Sequence, residues 1–369
     1  MLKLNKPGLA TVMMLAMGIS LIAQEKREPL RLGVAGVAHG HNAWLLNRMK
    51  DSVINVVGIY EPDAQLVESI VSDYKITRSM VYNDLGMMLD KLKPEAVVAF
   101  GATFDHLKAV EACAPRHISV MVEKPLATTL DHADKILALA RRYDIMVLTN
   151  YETSWYPTTE KAYQLSQNTS FMGKIRKVVV HDGHMGPKEI GVPPYFFNWL
   201  TDPVLNGGGA LTDFGCYGAN IMTYLMNGKM PTSVTAVTQT IKPDIYPKVD
   251  DEATIILTYP DAQCIIQASW NWPYHRKDLE VYGVGGYAIT STNKDMRIKG
   301  MHGPEQVLEL KPSDTDTYTD PFKYFADVIR KKVSMPPHSP YSLENNVLVV
   351  KILEAARESA NTGKRVVLK

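Results

Sequence analysis

Residues 30–41 read Leu-Arg-Leu-Gly-Val-Ala-Gly-Val-Ala-His-Gly-His. Six residues with the apolar weight of a buried strand run into a glycine-rich turn, and Asn42 to Met49 then reads as a helix. The same order recurs downstream. Ile54–Tyr60 is a β-branched strand followed by Glu61-Pro62-Asp63 and a helix through Ser72, and a helix near Asp84 to Leu92 leads into the strand Ala96–Gly101. Ile118–Val122 and Ile145–Leu148 complete the series, with a strongly periodic helix from Leu130 to Arg142 between them. Short strands alternating with helices imply βαβ units, right-handed crossovers and a parallel sheet.

After Asn150 the pattern changes. Lys174–His181, Ser233–Thr240, Ala253–Tyr259, Gln263–Trp270 and Asp278–Tyr282 are strand-like runs with turn residues such as Pro260-Asp261 between neighbours, which suggests antiparallel pairing. Helices Asp320–Lys332 and Ser342–Asn361 follow, the second capped by Ser342 with Asn345 three residues on and stopped by Gly363. The expected fold class is α/β. Residues 24–150 form an N-terminal Rossmann-like doubly wound parallel sheet, and residues 151–369 a C-terminal α+β domain with an open, mainly antiparallel sheet.

A chain of 369 residues suits two such domains. Forty Lys and Arg against 39 Asp and Glu leave a formal charge of +1, without the basic surplus that nucleic acid or an anionic membrane demands. Three cysteines, Cys113, Cys216 and Cys264, are too few and too scattered for a disulfide framework or a thiolate zinc site. Residues 1–23 have the layout of a secretory signal peptide. Lys3 and Lys6 precede the uncharged apolar run Leu9–Ile22, and cleavage is expected after Ala23, although Leu21 is bulky for the position three residues before the cut. The run of 14 residues is short of the roughly 18 needed to span a bilayer. Export to the periplasm is the expectation, with an uncleaved N-terminal anchor as the alternative.

The glycine-rich turn sits where a dinucleotide fingerprint belongs, between the first strand and its helix. Gly36 fits the G-x-G-x-x-G pattern, Ala38 and His41 replace its second and third glycines, and His39 and Gly40 complete the loop. An ordinary strand–helix turn would carry the same residues. The second strand, however, ends in Glu61, 25 residues beyond Gly36, where a carboxylate accepts hydrogen bonds from an adenosine ribose and repels a 2′-phosphate. That favours NAD over NADP as cofactor.

At Val122-Glu123-Lys124-Pro125 the sequence resembles the glucose–fructose oxidoreductase / inositol dehydrogenase / MocA (Gfo/Idh/MocA) family, whose most recognisable signature is this Glu-Lys-Pro tripeptide. A second segment agrees: Gly207-Gly-Gly-Ala-Leu-Thr-Asp213-Phe-Gly215-Cys-Tyr217, opening a helix through Leu225. Thr103-Phe-Asp-His106 and the tail from Ser342 are also similar to the family pattern. The resemblance implies a nicotinamide-dependent oxidoreductase in which Lys124 is the catalytic lysine, Asp213 holds substrate, and Glu123 and His106 stand beside the cofactor. Many members have histidine four residues after that aspartate; Tyr217 stands there instead, and the adjacent Lys124 ammonium is expected to favour its phenolate. Asn220 replaces a second acidic residue, so no metal is expected.

His184, Trp199 and His275 are candidate substrate contacts. His184 reads equally as a surface-turn histidine, and Trp199 with the cluster Trp270-Asn-Trp272-Pro-Tyr274 as aromatic packing along the sheet. Cys216 has no evident base partner and reads as packing. The leading functional reading is an NAD-dependent oxidoreductase moving hydride to or from a sugar or polyol carbon, in a homo-oligomer (dimer or tetramer) formed through the C-terminal sheet. Two alternatives stand beside it: a redox-neutral glycosidase or epimerase working through a keto-sugar, and a non-catalytic sugar or nucleotide binder.

Overall fold

Strands β1 (Leu30–Ala35), β2 (Ile54–Tyr60), β3 (Val81–Tyr82), β4 (Ala96–Ala99), β5 (Ser119–Glu123) and β6 (Val147–Asn150) pair in parallel in the order β3-β2-β1-β4-β5-β6 in the computed structural model, which describes residues 28–368. The signal-like segment, residues 1–23, lies outside the described residues. Helices cover both faces, so the strands must be apolar throughout. Val97, Val98, Val120 and Val122 are all buried, which is why these runs show no alternation. The strand order reverses between β1 and β4, and the crevice for a ligand opens at the carboxyl ends there. Register completes the placement. Ala35 pairs with Ala99, Ala99 with Val122, and Glu123 with Asn150, so Gly36, the Glu123-Lys124 turn and Asn150 come to one edge.

The second sheet has nine strands: β7 (Ile175–Gly183), β8 (Ser233–Gln239), β9 (Glu252–Thr258), β10 (Gln263–Ser269), β11 (Arg276–Gly283), β12 (Gly286–Thr290), β13 (Asp295–Gly300), β14 (Gln306–Glu309) and β15 (Val366–Val367). Their order is β14-β13-β12-β11-β7-β10-β9-β8-β15, antiparallel except for β7 beside β10. Burial alternates along β9, where Ala253, Ile255 and Leu257 face the core and Thr254, Ile256 and Thr258 stay half-exposed. Helices Gly215–Leu225 and Leu343–Thr362 pack in the core on the inner face. A Cβ at Gly218 would lie 2.5 Å from the Ile266 side chain, so glycine is what lets the first of these helices lie flat on the sheet.

Two helices differ from expectation in ways that matter for the site. The helix expected over Asn42–Met49 ends at Leu46. Arg48 leaves the helical path to pair with Asp51 at 2.5 Å and Asp320 at 2.7 Å. The helix expected to run unbroken to Leu225 is two pieces, Ala210–Asp213 and Gly215–Leu225, parted at Phe214. In an unbroken helix the Tyr217 amide would bond the Asp213 carbonyl; here it donates to Phe214 O instead, at 3.1 Å. The Asp213 carbonyl is thereby released to other donors. Among the described residues no helix is long and apolar enough to cross a membrane.

Candidate active site

The turn after β1 brings its backbone close to another loop. Gly36 has φ +77°, and a Cβ there would stand 2.8 Å from Gly101 Cα in the loop after β4. Above this contact is a cavity of about 250 Å³ lined by Gly36, Ala38, Glu61, Pro62, Leu85 and Trp199, among others. Glu61 is held at its edge by accepting from the Val37 amide at 3.0 Å and the Asp63 amide at 3.0 Å. Burial raises its pKa against the pull of those amides. A glycine cradle, a small apolar slot and a carboxylate at the end of β2 fit the adenosine end of a dinucleotide. The five-residue helix that follows supplies little of the dipole expected from a longer one.

Trp199 corrects one expectation. Its indole donates to Ala38 O at 3.2 Å and packs against His39, with ring centroids 5.8 Å apart, so it belongs to the glycine-loop side rather than to a sugar platform. His106 is likewise displaced from its expected role beside the cofactor. It is fully buried behind the Glu-Lys-Pro turn, its Nδ1 3.2 Å from Leu126 O, and burial drops its pKa to about 4.

Glu123 closes β5 at 1% exposure. Burial works against its ionisation, but His41, His39 and Asn150 outweigh it and hold the carboxyl at about 2. His41 Nδ1 is 3.1 Å from Oε2 and Asn150 Nδ2 donates to Oε1 at 2.6 Å. His39 Nδ1 accepts the His41 amide at 3.1 Å, which leaves its proton on Nε2, 4.0 Å from Glu123. Burial lowers His39 to about 3, so it is neutral. The ligand-type atoms of His39, His41 and Glu123 all lie within 4.8 Å of one another, as in a metal site. With the His39 Nε2 lone pair occupied by a proton, the grouping is built as a hydrogen-bonded cluster.

Lys124 follows directly and crosses to the second domain. Its ammonium donates to the Asp213 carboxylate and, at 2.9 Å, to the Asp213 carbonyl freed by the helix break. Trp270 Nε1 donates to the other carboxylate oxygen at 2.9 Å. Burial disfavours both charges, yet the pairing wins: Lys124 is held above the usual lysine range and Asp213 below the usual carboxylate range. Asp213 was expected to hold substrate. Its two oxygens are engaged by Lys124 and Trp270, so it positions the lysine.

Tyr217 is brought to the same place, but not as a phenolate partner. Lys124 Nζ stands 5.2 Å from the centre of its ring, and Lys277 Nζ 5.1 Å from it. Burial pushes the phenol well above its ordinary pKa, so the expectation of a stabilised phenolate is reversed and the group stays protonated. His184 and His275 do come together at this centre, ring centroids 5.6 Å apart, with Phe214 edge-on to His184 at 4.9 Å. Burial lowers His184 to about 4.

Four residues here escaped the sequence reading: Asn150, Glu152, Lys277 and Asp182. Lys277 pairs with Glu152, which also accepts from the Tyr156 hydroxyl. Asp182 is opposite Lys277 in the β7–β11 register, is 0% exposed, and has no hydrogen-bond partner on either oxygen. Burial drives it well above the ordinary carboxyl range, so it is protonated. The run His181-Asp-Gly-His184 held the only signal for it.

Two family profiles match the chain: an oxidoreductase family with an NAD-binding Rossmann fold over residues 30–151, and the GFO/IDH/MocA C-terminal domain over residues 162–289. Among curated relatives, trans-1,2-dihydrobenzene-1,2-diol dehydrogenase of Xenopus laevis is 29% identical over 131 residues, 36% of this chain and 37% of that protein. The match thus spans little more than a third of that relative. The enzyme of the same name from Sus scrofa is 23% identical over 349 residues, 89% of this chain and 96% of that one. An inositol dehydrogenase homolog from Azotobacter vinelandii, solved with NAD+, superposes with a TM-score of 0.79 at 18% identity, covering 93% of this chain and 98% of that chain, a likeness of fold.

Proposed function

This chain belongs to the GFO/IDH/MocA oxidoreductase family, and we propose that it is an NAD-dependent oxidoreductase acting on a CH–OH carbon of a sugar or polyol. The observation that carries the reading is the buried Lys124–Asp213 pair at the mouth of the glycine-loop crevice. Bound nicotinamide supplies the hydride acceptor or donor. The rest falls to the chain. Gly36 admits the dinucleotide backbone, and the Glu61 carboxylate meets the ribose hydroxyls and repels a 2′-phosphate. Asp213 and Trp270 aim the Lys124 ammonium, which hydrogen-bonds the reacting oxygen and exchanges its proton with it. Tyr217, held neutral, serves as a donor to the same oxygen. His184 and His275 line the substrate side as neutral hydrogen-bonding groups. Mass spectrometry of nucleotide released from denatured protein, with nucleotide reduction at 340 nm across a panel of sugars and polyols, tests the reading. Protein that neither binds NAD(H) nor reduces it with any member of the panel overturns it.

Two further parts of the proposal rest on other observations. The apolar run Leu9–Ile22 between charged flanks supports export. Outside the cytoplasm free NAD is scarce, so an exported enzyme must keep its cofactor and regenerate it in place, which favours a redox-neutral cycle through a keto-sugar. Cell fractionation, with absorbance of extensively dialysed protein, checks both points. Homo-oligomerisation is supported by half-buried Ile256, Ile265 and Val179, register neighbours on the outward face of the second sheet. Light scattering that shows a monomer at micromolar concentration refutes it.

A further inference from the structure

A larger cavity of about 560 Å³, separate from the adenosine slot, is linked to the Lys124 centre through the Glu152–Lys277 pair, and nothing above uses it. It is formed where the short helix Asn42–Leu46, the segment after β6, the β12–β13 turn and the segment after β14 meet; Trp44, Arg48, Glu152, Tyr156, Asn293 and Lys311 are among its walls. We propose that this cavity is a subsite for a neutral second sugar ring, so that the substrate is a glycoside or disaccharide with its reacting ring at Lys124 and the adjoining ring against Trp44. The proposal rests on the oxidoreductase reading above and names its substrate class.

Four observations converge on it. The first is position. Glu152 is a wall of the cavity, and its carboxylate pairs with Lys277, whose ammonium lies over the Tyr217 ring that Lys124 also contacts. One ion pair therefore separates the reacting centre from the cavity. The second is charge. Three basic lining residues (Arg48, Lys294, Lys311) face three acidic ones (Glu152, Glu309, Asp320), and most of these charges are already spent on partners. Arg48 pairs with Asp320, Lys294 with Glu309 at 2.7 Å, and Glu152 with Lys277. A phosphate or ammonium would meet no concentrated opposite charge there, whereas hydroxyl groups would find fixed donors and acceptors.

The third is the platform. Trp44 is half-buried and stacks on His41 with centroids 3.9 Å apart at an interplanar angle of 15°. His41 is itself held by Glu123, so the indole is braced from behind. A braced flat apolar surface beside polar rim groups suits the C–H face of a pyranose and its hydroxyl edge. The fourth is size: the volume lies inside the roughly 300–1,000 Å³ typical of small-molecule sites, more than a second ring requires.

The test compares NAD-loaded protein titrated with glucose and galactose against maltose, cellobiose, trehalose and lactose, by calorimetry and by nucleotide reduction at 340 nm. At least one disaccharide is expected to exceed its monosaccharides tenfold or more in affinity or in kcat/KM. That ratio should fall to within twofold of unity in Trp44→Ala, and also in Asn293→Trp, which fills the cavity from an exposed turn and places no strain on the core. Use of a ratio removes any general effect of Trp44 on the cofactor loop. Monosaccharides oxidised with no disaccharide advantage, or an advantage that survives both variants, overturns the subsite and leaves the Lys124 reading intact. Disaccharides that bind with Trp44 dependence but neither reduce the nucleotide nor are converted to any product by the NAD-loaded protein sustain the subsite and overturn the hydride chemistry.

Discussion

Replacing Asp213 with Asn keeps the shape of the side chain and removes its charge. In the native protein Lys124 and Asp213 are 7% and 5% exposed, so the surviving ammonium would stay in low dielectric without its counter-ion. Breaking a buried pair from one side typically costs about 3–5 kcal/mol. Here the cost has a ceiling, because Lys124 can lose its proton, at roughly 1.4 kcal/mol for each unit by which the ordinary lysine value of about 10.4 lies above pH. A loss of about 3 kcal/mol at pH 7 is therefore expected. The pH dependence is the sharper signature. In the native pair Asp213 is lowered and Lys124 raised. Stability from Asp213 is present above about pH 4 and lost as pH falls through its folded pKa; stability from Lys124 is present below about pH 10 and lost as pH rises through its folded pKa. Between pH 6 and 9 the pair thus contributes a constant amount. In Asp213→Asn, burial, the largest influence on Lys124, is opposed only by Cys216 and Glu123; its pKa drops, and the folded state binds fewer protons than the unfolded one. Stability should then rise with pH, by up to about 1.4 kcal/mol per unit. Denaturant titrations at pH 6, 7, 8 and 9, followed by tryptophan fluorescence, measure this, with Lys124→Met/Asp213→Asn as a control that removes the slope. A variant as pH-independent as the native chain, or destabilised by less than about 1 kcal/mol, would show that the ammonium is not held by Asp213.

Lys124→Ala should lower turnover on the order of a hundredfold or more with nucleotide affinity retained, and Tyr217→Phe about tenfold, as for removal of a proton-transfer group and of a single donor; steady-state rates and NAD titrations decide, and native rates in both variants would place the chemistry elsewhere. NAD(H) should bind at least about tenfold tighter than NADP(H), roughly 1.4 kcal/mol, and Glu61→Gln should narrow that gap; equal affinities in the native protein would remove Glu61 from the ribose. Asp182→Asn should stabilise the fold near neutral pH. Above about pH 4 the unfolded carboxyl loses its proton while the buried one keeps it, so native stability falls as pH rises, and the variant escapes that loss. The difference between the two in denaturant titrations should widen from pH 5 to pH 8; a constant difference would mean that Asp182 is ionised in the fold.

The parallel sheet was readable because its strands are buried on both faces, and runs such as Ile54–Tyr60 and Ala96–Ala99 therefore announce themselves without reference to neighbours. Glu61, Lys124, Asp213 and Tyr217 were readable from their places after strands and in the Gly207–Tyr217 segment. What stayed hidden depends on contacts distant in sequence. Arg48 is drawn out of its helix by Asp320, 272 residues away. The pairing of β7 with β10 joins segments about 85 residues apart in a parallel direction that local turns cannot signal. β12 to β14 have only five, six and four residues, and β14 buries none of them, so their pattern is weak. The roles of Trp199 and Asp182 come from neighbours supplied by other elements. The helix break at Phe214 left no mark, since Gly215 and Gly218 read equally as packing glycines.

The break at Phe214 has a consequence for how the proposed catalytic centre comes into being. Lys124 closes a strand of the first domain, while the carbonyl and carboxylate that receive it belong to the second. Without the second domain Lys124 has no carboxylate to meet, and without the first Asp213 keeps only the Trp270 indole as its side-chain partner. Reactivity is then not a property of either half. It arises at docking, when water is stripped from both groups and each becomes the other's solvent. On the proposed chemistry the arrangement is its own safeguard: a partly assembled molecule would lack the paired ammonium, and the centre would exist only when the two halves fit.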